Sequence, residues 1–200
     1  EAKRDSTITM LEPDDSVAGL GSFKRWLEDI RTDLIFPEEA LKYGSKAPKG
    51  VLLTGVPGSG KTQAAKMAAS CLGGTQGNVP LVQFRMDNLL GGLVGDSEAN
   101  FKRCRKRIEA LAPCVVLMDE MEKTFEMNRN SSHEVKMNIL TALLDWMQEN
   151  DKPIFFFGTS NSVSGLRPEL LRDGRFDMRF CVFMPACEEL KEILKFHLKR

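Results

Sequence analysis

A glycine-rich segment, "GVPGSGKTQ", contains the side chains best suited to chemistry in this sequence. It fits the pattern Gly-x-x-x-x-Gly-Lys-Thr, in which glycines let backbone N–H groups approach a phosphate closely. The lysine of this pattern reaches the outer phosphates, and the hydroxyl that follows it ligates Mg²⁺. The segment therefore predicts a binding site for a nucleoside triphosphate with Mg²⁺, formed by Gly55, Val56, Pro57, Gly58, Ser59, Gly60, Lys61, Thr62 and Gln63.

Two adjacent carboxylates follow the apolar run "CVVLM" and are candidates for binding the metal ion and activating water at this site. Asp119 is placed to hold the hydration shell of Mg²⁺ together with Thr62. Glu120 is placed to polarise a water molecule for attack on the terminal phosphorus. Such a pair could instead cap the next helix, but the glycine-rich loop needs a metal partner and no other strand end offers one. Glu122 is interpreted as a charge at the start of a helix.

Three further polar residues have less specific signals when the sequence is considered alone. Asn161 ends the apolar segment "FFFGTSN", where its amide could orient the attacking water or simply form a turn. Arg172 and Arg175 lie in "RPELLRDGRFD", too far along the chain to presume that they face the phosphates of their own subunit. By themselves they are interpreted as surface arginines.

Alternating strand and helix patterns predict the framework that positions these residues. Fully apolar strands separated by helical stripes are typical of a parallel sheet covered by helices on both faces. The carboxyl ends of such strands meet at one edge, where chemistry collects. Strands are predicted at 50–54, 81–86 and 114–118 and in "PIFFFGTSN" and "RFCVFMP", and helices at 22–34, 61–72, 101–111, 139–147 and 187–200, with a loop between Pro37 and Pro48.

The composition is that of an ordinary globular domain without a strong overall charge. The 200 residues include 28 Lys+Arg and 28 Asp+Glu, so no net field attracts nucleic acid or anionic lipid. The basic run at 102–107 is interpreted as a solvated helix face in preference to a nucleic-acid site, or as a subunit contact where copies of the chain assemble. The five cysteines show no metal-ligand spacing and are interpreted as small apolar residues. The sequence contains no run of 18 apolar residues, so no membrane span is predicted. A targeting segment could precede Glu1.

Four motifs in this order, GVPGSGKT, VVLMDE, GTSN and PELLRDGRFD, resemble the large α/β subdomain of AAA+ ATPases. The resemblance covers most of residues 16–186, and a guanine-reading NKxD motif is absent. It implies a P-loop NTPase fold of class α/β, with a five-stranded parallel sheet in the order 5-1-4-3-2 between helices. Residues 1–15 are then expected to be an arm or linker, and residues 187–200 the first helix of a truncated lid.

The same resemblance implies roles for several residues. Asn161 matches the family's sensor-1 position, and Arg172 and Arg175 match its two arginine fingers, which an adjacent subunit donates. The stretch "SVAGL", with Ala18 and Gly19, resembles the segment that flanks adenine, although Ser16 replaces the usual acidic residue. "LLGGLVGDSE" resembles the first pore loop, in which Leu93 and Val94 would contact a protein client without the usual aromatic residue.

The segments "GGLVGDSE", "APCVVLMDEMEK" and "LLDWMQE" are most similar to the AAA+ branch named for a hypothetical chloroplast reading frame. That branch occurs in plastids, cyanobacteria and other bacteria, so a cytoplasmic or stromal location is expected. The resemblance implies a ring, expected to be a hexamer, that hydrolyses Mg-ATP between subunits to remodel a protein. A nucleotide-gated scaffold and a DNA-remodelling ATPase are the alternatives. Without a lid, the 200 residues alone are expected to turn over ATP weakly.

Overall fold

A six-stranded sheet in the order β1-β3-β4-β5-β2-β6 forms the centre of the protein. The computed structural model describes residues 7–14, 19–73, 77–89, 96–125 and 133–198. Its strands are β1 (Ile8–Leu11), β2 (Gly50–Gly55), β3 (Leu81–Phe84), β4 (Cys114–Met118), β5 (Ile154–Ser160) and β6 (Met178–Val182). Its helices are α1 (Gly21–Ile35), α2 (Pro37–Lys42), α3 (Lys61–Leu72), α4 (Asp96–Ala110), α5 (Met121–Phe125), α6 (His133–Glu149) and α7 (Cys187–Leu198), with short 3₁₀ helices at Asp87–Leu89 and Pro168–Leu171.

Strands β2 to β6 form the parallel α/β sheet that the sequence predicted. Neighbouring strands run parallel in the order β3-β4-β5-β2-β6, which confirms the expected order 5-1-4-3-2 when β2 is counted as the first strand. In this register Met118 of β4 lies opposite Gly158 of β5, and Thr54 of β2 lies opposite Ser160. The carboxyl ends of β2, β4 and β5 therefore meet at one edge of the sheet.

The expected number of five strands was wrong, because a sixth strand joins the edge of the sheet. β1 pairs antiparallel with β3, with Met10 opposite Val82. Only four residues take part, too few to show the period of a strand within the segment 1–15 that was interpreted as an arm. The predicted loop after Pro37 also contains α2, which begins at that proline because a first helical position needs no backbone N–H.

Helices cover both faces of the sheet, as the apolar strands predicted. On one face α1 and α3 pack on Val51, Leu53 and Phe157, and the small alanines of α3 allow close packing. On the other face α4 and α6 pack on Leu52 and Phe156. The side chains of β2, β4 and β5 thus alternate between two separate cores. In the part of the chain that the structure describes, no helix has both the length and the apolar character needed to cross a membrane.

Two of the cysteines serve as small apolar residues in these cores. Cys104 on α4 and Cys114 at the start of β4 are buried, and neither forms a disulfide with another described cysteine. Burial raises the pKa of the Cys114 thiol to about 12, so this side chain stays protonated and unreactive. The interpretation of these two residues from sequence is confirmed.

Candidate active site

The glycine-rich loop connects the end of β2 to the start of α3. Gly58 has a φ of 81° and Gly60 a φ of 89°, a left-handed conformation that other residues rarely adopt. Gly60 precedes α3 without a side chain that caps the first N–H groups of this helix. Those donors and the positive end of the helix dipole therefore remain available to an anion, which is the arrangement that binds phosphate.

Lys61 places a buried positive charge inside this loop. The side chain is 8% exposed, and its ammonium donates hydrogen bonds to the carbonyl oxygens of Gly55 at 2.8 Å and Val56 at 2.9 Å. Within the described ranges, no carboxylate forms an ion pair with it. A buried cation held only by carbonyl dipoles is costly without a counter-ion. The loop therefore fits the phosphate groups that the sequence predicted.

The two residues predicted to hold Mg²⁺ lie side by side. The hydroxyl of Thr62 donates to one carboxylate oxygen of Asp119 across 3.4 Å. The other oxygen accepts a short hydrogen bond from the hydroxyl of Thr159, which in turn accepts the backbone N–H of Glu120 at 3.0 Å. Hydroxyl and carboxylate oxygens suit Mg²⁺, which usually takes one or two carboxylates and completes its shell with phosphate and water. Thr62 and Asp119 thus fit this ion.

Sequence reasoning missed Thr159 as a residue that orients the predicted metal ligand. Its hydroxyl follows the apolar part of β5, and the alignment of β4 with β5 brings it beside Asp119. The threonine in "GTSN" was visible, but only the pairing of these two strands shows which carboxylate it contacts.

Glu120 has an unusual backbone conformation and an ionised side chain. Its φ is 51°, a left-handed conformation that costs on the order of 1–3 kcal/mol in a residue other than glycine and is often found at functional sites. Lys123 contacts its carboxylate at 2.7 Å. The hydrogen bond from Lys123, assisted by the charge of that lysine and by Asn161, lowers the pKa of Glu120 in spite of partial burial. The side chain is therefore a carboxylate at neutral pH, able to accept a proton.

Asn161 joins two glutamates at this edge of the sheet. Its amide nitrogen donates to Glu122 at 2.9 Å and, over a longer distance of 3.4 Å, to Glu120. Glu122 lies in the first turn of α5, as its interpretation as a helix-start charge requires. That interpretation missed its contact with Asn161, which depends on the placement of β4 beside β5 and has no signal in the sequence.

The two predicted fingers differ in their surroundings within their own chain. Arg172 is exposed, whereas Arg175 is half-buried and donates to the carbonyl oxygen of Glu169 at 2.6 Å and to the side chain of Gln148 at 3.4 Å. Among the described residues, neither arginine donates a hydrogen bond to the loop at 55–63. The two arginines therefore do not complete the site of their own chain.

A carboxylate holds the turn that carries these arginines against the start of β2. Asp177 accepts the backbone N–H groups of Lys49 and Gly174, each at 2.7 Å, and its own N–H donates to the carbonyl oxygen of Gly50 at 3.1 Å. Since β2 runs parallel to β6, this turn lies at the amino end of the strands. The glycine-rich loop lies at the opposite edge, separated from the turn by the length of β2, roughly 17 Å.

These contacts predict different stabilities for the two arginine variants. Arg175→Ala is expected to lower the free energy of unfolding by about 1–3 kcal/mol, because it leaves a half-buried acceptor without its partner. Arg172→Ala is expected to change it by about 0.5 kcal/mol or less, because the side chain is exposed. Urea unfolding of the two variants measures the difference. Equal losses of stability would contradict this assignment.

Several other predicted site residues flank the loop or lie outside the described ranges. Gln63 donates to the carboxylate of Asp14 at 3.0 Å, which ties the segment before α1 to α3. Gly19, with a φ of 80°, lies beside Glu189 of α7, whose carboxylate would be 3.6 Å from an added Cβ. Ala18 and the predicted client contacts Leu93 and Val94 lie outside the described residues.

Comparison with known proteins gives matches over most of the chain. The model of the ATPase family associated with various cellular activities (AAA) matches residues 51–184. The uncharacterized AAA domain-containing protein ycf46 of Trieres chinensis is 36% identical over 185 residues, which are 92% of this chain and 36% of the relative. The ATP-dependent zinc metalloprotease FtsH of Ralstonia pickettii is 33% identical over 188 residues, which are 92% of this chain and 26% of the relative. The chain thus spans about a third or less of the length of these relatives.

Proposed function

Because the chain belongs to the AAA family of ATPases, we propose that it binds Mg-ATP at the glycine-rich loop and hydrolyses it at subunit contacts to remodel a protein client. The resemblance to this family and to its ycf46 branch is confirmed. One observation carries the proposed chemistry: three strand ends bring together the buried ammonium of Lys61, the Thr62–Asp119 pair and the ionised Glu120 with Asn161.

ATP is bound through its phosphates in this proposal. The N–H groups at the start of α3 and the ammonium of Lys61 hold the phosphate oxygens. Thr62 and Asp119 hold Mg²⁺, while Thr159 keeps the carboxylate of Asp119 in place. When bound, the ion supplies positive charge that neutralises the phosphate oxygens. Gly19 and Ala18 flank the adenine, as the family resemblance implies.

Hydrolysis proceeds by direct attack of water. Glu120 accepts a proton from the water while the water oxygen bonds to the terminal phosphorus, and the bond from that phosphorus to the ADP oxygen breaks. Asn161 orients the water because its amide lies beside Glu120. Positioning and charge stabilisation supply most of the rate. Arg172 and Arg175 of an adjacent subunit stabilise the charge that develops on the phosphate. Arg172 is the more accessible of the two, since its side chain is exposed and far from the loop of its own chain.

Self-association into a ring, expected to be a hexamer, follows from this sharing of residues. The client is proposed to be a protein contacted through Leu93 and Val94, and nucleic acid is not expected. The arrangement of α4 supports the latter point: Cys104 packs in the core, and Arg105 of the basic run pairs with Glu109 at 2.6 Å, so the charges form a solvated face. The proposed location is the cytoplasm or the plastid stroma.

The ATPase rate of the full-length protein, measured against protein concentration, tests the proposal. Shared sites predict a rate that rises more steeply than linearly and that requires Mg²⁺. A DNA-remodelling enzyme would instead be stimulated by DNA, with an effect that fades steeply with salt. Calorimetry that detects no ATP binding at millimolar concentration would overturn the proposal. The 200 residues alone are expected to give a weak rate, and robust turnover at low concentration would contradict site sharing.

The Lys123 contact predicts how the rate depends on pH. Lys123 is the main cause of the lowered pKa of Glu120, so this base stays ionised below its usual range. Lys123→Met is expected to raise that pKa, and the loss of kcat on acidification then begins at a higher pH than in the unaltered protein. Any stability from the ionised pair is likewise present above the unfolded pKa and lost as the pH falls through the folded one.

Acid-side profiles of kcat for Lys123→Met and the unaltered protein measure this shift. Lys102→Met, which removes an exposed lysine from α4, is the matched control and is expected to leave the profile in place. A profile for Lys123→Met that is unchanged, or moved to lower pH, would show that another group sets the ionisation of the base.

A further inference from the structure

We propose that Glu122 is a positioning residue that fixes the orientation of the Asn161 amide for hydrolysis. The inference rests on the proposed function, because it assigns a role within the same site. It concerns a residue whose type and place at the start of α5 suggest no more than a favourable helix charge. The contacts of its carboxylate point to a more specific role.

The carboxylate of Glu122 is partly buried and has one hydrogen-bond partner among the described residues. One oxygen accepts the Asn161 amide at 2.9 Å, and the other is buried without a hydrogen bond among the described residues. Gly165 lies close to this side chain, since a Cβ added to Gly165 would lie 3.1 Å from the Cβ of Glu122. A buried carboxylate oxygen without a donor is uncommon in proteins and carries a cost. Glu122 thus holds a fixed acceptor against Asn161.

Two carboxylates determine which way the Asn161 amide faces. Carboxylate oxygens accept hydrogen bonds, so the side of the amide that meets Glu122 and Glu120 is its N–H₂ side. The reversed amide would place its own oxygen against both carboxylates, and the repulsion excludes that state. The carbonyl oxygen of Asn161 therefore faces away from the glutamates, and it has no hydrogen bond within the described part of the chain. It is an acceptor available to a proton of the attacking water.

The two contacts of Asn161 also differ in length, and the shorter one is with Glu122 and not with the proposed base, Glu120. The hydrogen bond to Glu122 is 2.9 Å long and the contact with Glu120 is 3.4 Å long, so Glu122 is the main hydrogen-bond partner of the amide. Without Glu122, the amide loses its shorter hydrogen bond and keeps only the longer contact with Glu120, so its orientation is less fixed. Loss of Glu122 therefore acts on the chemical step through Asn161, and it leaves the nucleotide contacts of Lys61 and Thr62 intact.

Substitutions in the full-length protein test this inference through kcat and nucleotide affinity. Glu122→Leu keeps the approximate size of the side chain and removes the acceptor, and it is expected to lower kcat on the order of 10-fold, as small misplacements of a positioning group do. Glu122→Gln keeps one acceptor oxygen, so its loss is expected to be smaller. The affinity for a non-hydrolysable ATP analogue with Mg²⁺ is expected to be unchanged. Glu109→Leu makes the same replacement at a partly buried glutamate on α4, outside the site. It is the control and is expected to leave kcat unchanged.

A double-substitution cycle separates positioning from a purely structural role. In the Asn161→Ala background, Glu122→Leu is expected to cause no further loss in single-turnover rate, because its effect passes through the amide. Independent, multiplicative losses of the two substitutions would overturn the proposal, as would a kcat of Glu122→Leu equal to that of the unaltered protein. A fall in analogue affinity that accounts for the whole loss of rate would overturn it as well.

The unaltered protein distinguishes failure of this inference from failure of the proposed function. If it hydrolyses ATP and Glu122→Leu behaves identically, only the role of Glu122 is rejected. If it binds no ATP at millimolar concentration, or shows no turnover at any protein concentration, both proposals are rejected together.

Discussion

Arg172→Ala is expected to lower the ATPase rate of the full-length protein by roughly 10³–10⁵-fold, the range known for arginines donated to a neighbouring phosphate site. ATP affinity and the free energy of unfolding are expected to change little, because this side chain is exposed and lies far from the loop of its own chain. Steady-state rates and calorimetry at the same protein concentration measure the two effects. Arg179→Ala, which removes an exposed arginine from β6, is the matched control.

Mixing two inactive variants tests whether the arginine acts between chains. Arg172→Ala keeps an intact loop but lacks the arginine, and Lys61→Ala keeps the arginine but is expected to bind no ATP. In mixed assemblies, the loop of the first variant meets the arginine of the second, so part of the activity is expected to return. If the mixture stays as inactive as its components, the arginine does not act in a neighbouring site.

Glu120→Gln is expected to reduce turnover by about 10²–10⁴-fold while ATP binding persists, because the amide keeps the size of the side chain and cannot accept the proton. Single-turnover hydrolysis and binding of Mg-ATP measure the two quantities separately. Glu134→Gln, at an exposed position on α6, is the control. Assembly in the presence of ATP is expected to persist in the Glu120 variant, since the contacts of Lys61 and Thr62 remain.

The same substitution separates a motor from a nucleotide-gated scaffold. A motor that cannot release phosphate stops acting on its client, whereas a scaffold that only senses ATP keeps its function in the Glu120→Gln variant. Retention of client activity together with loss of phosphate release would favour the scaffold. Retention of the full hydrolysis rate would show that Glu120 is not the base.

The sequence was sufficient where a pattern is local. Strands buried on both faces, such as Cys114–Met118 and Ile154–Ser160, appear as continuous apolar runs, and the polar groups that follow them mark one edge of a parallel sheet. The glycines of the loop impose a backbone that few other sequences adopt. For these reasons the meeting of Lys61, Thr62 and Asp119 could be predicted from the residues, and the sheet order from the family that they resemble.

Other features depend on partners that are distant in sequence. β1 has four residues and gains its pairing only at the edge of β3, so its period was too short to detect. The orientation of Asp119 by Thr159 requires the register of β4 against β5. The difference between Arg172 and Arg175 requires the position of Gln148 at the end of α6. In each case the contact forms only in the folded chain, so the sequence alone could not reveal it.

The separation of the arginine turn from the glycine-rich loop by the length of β2 has a consequence for cells that produce an altered copy of the protein beside a normal one. In the proposed assembly, a copy that lacks Arg172 still takes its place beside other copies and still loads its own nucleotide, while the site that it disables belongs to its neighbour. Such an allele is therefore expected to be dominant over the normal one, whereas a copy too unstable to assemble is expected to be recessive.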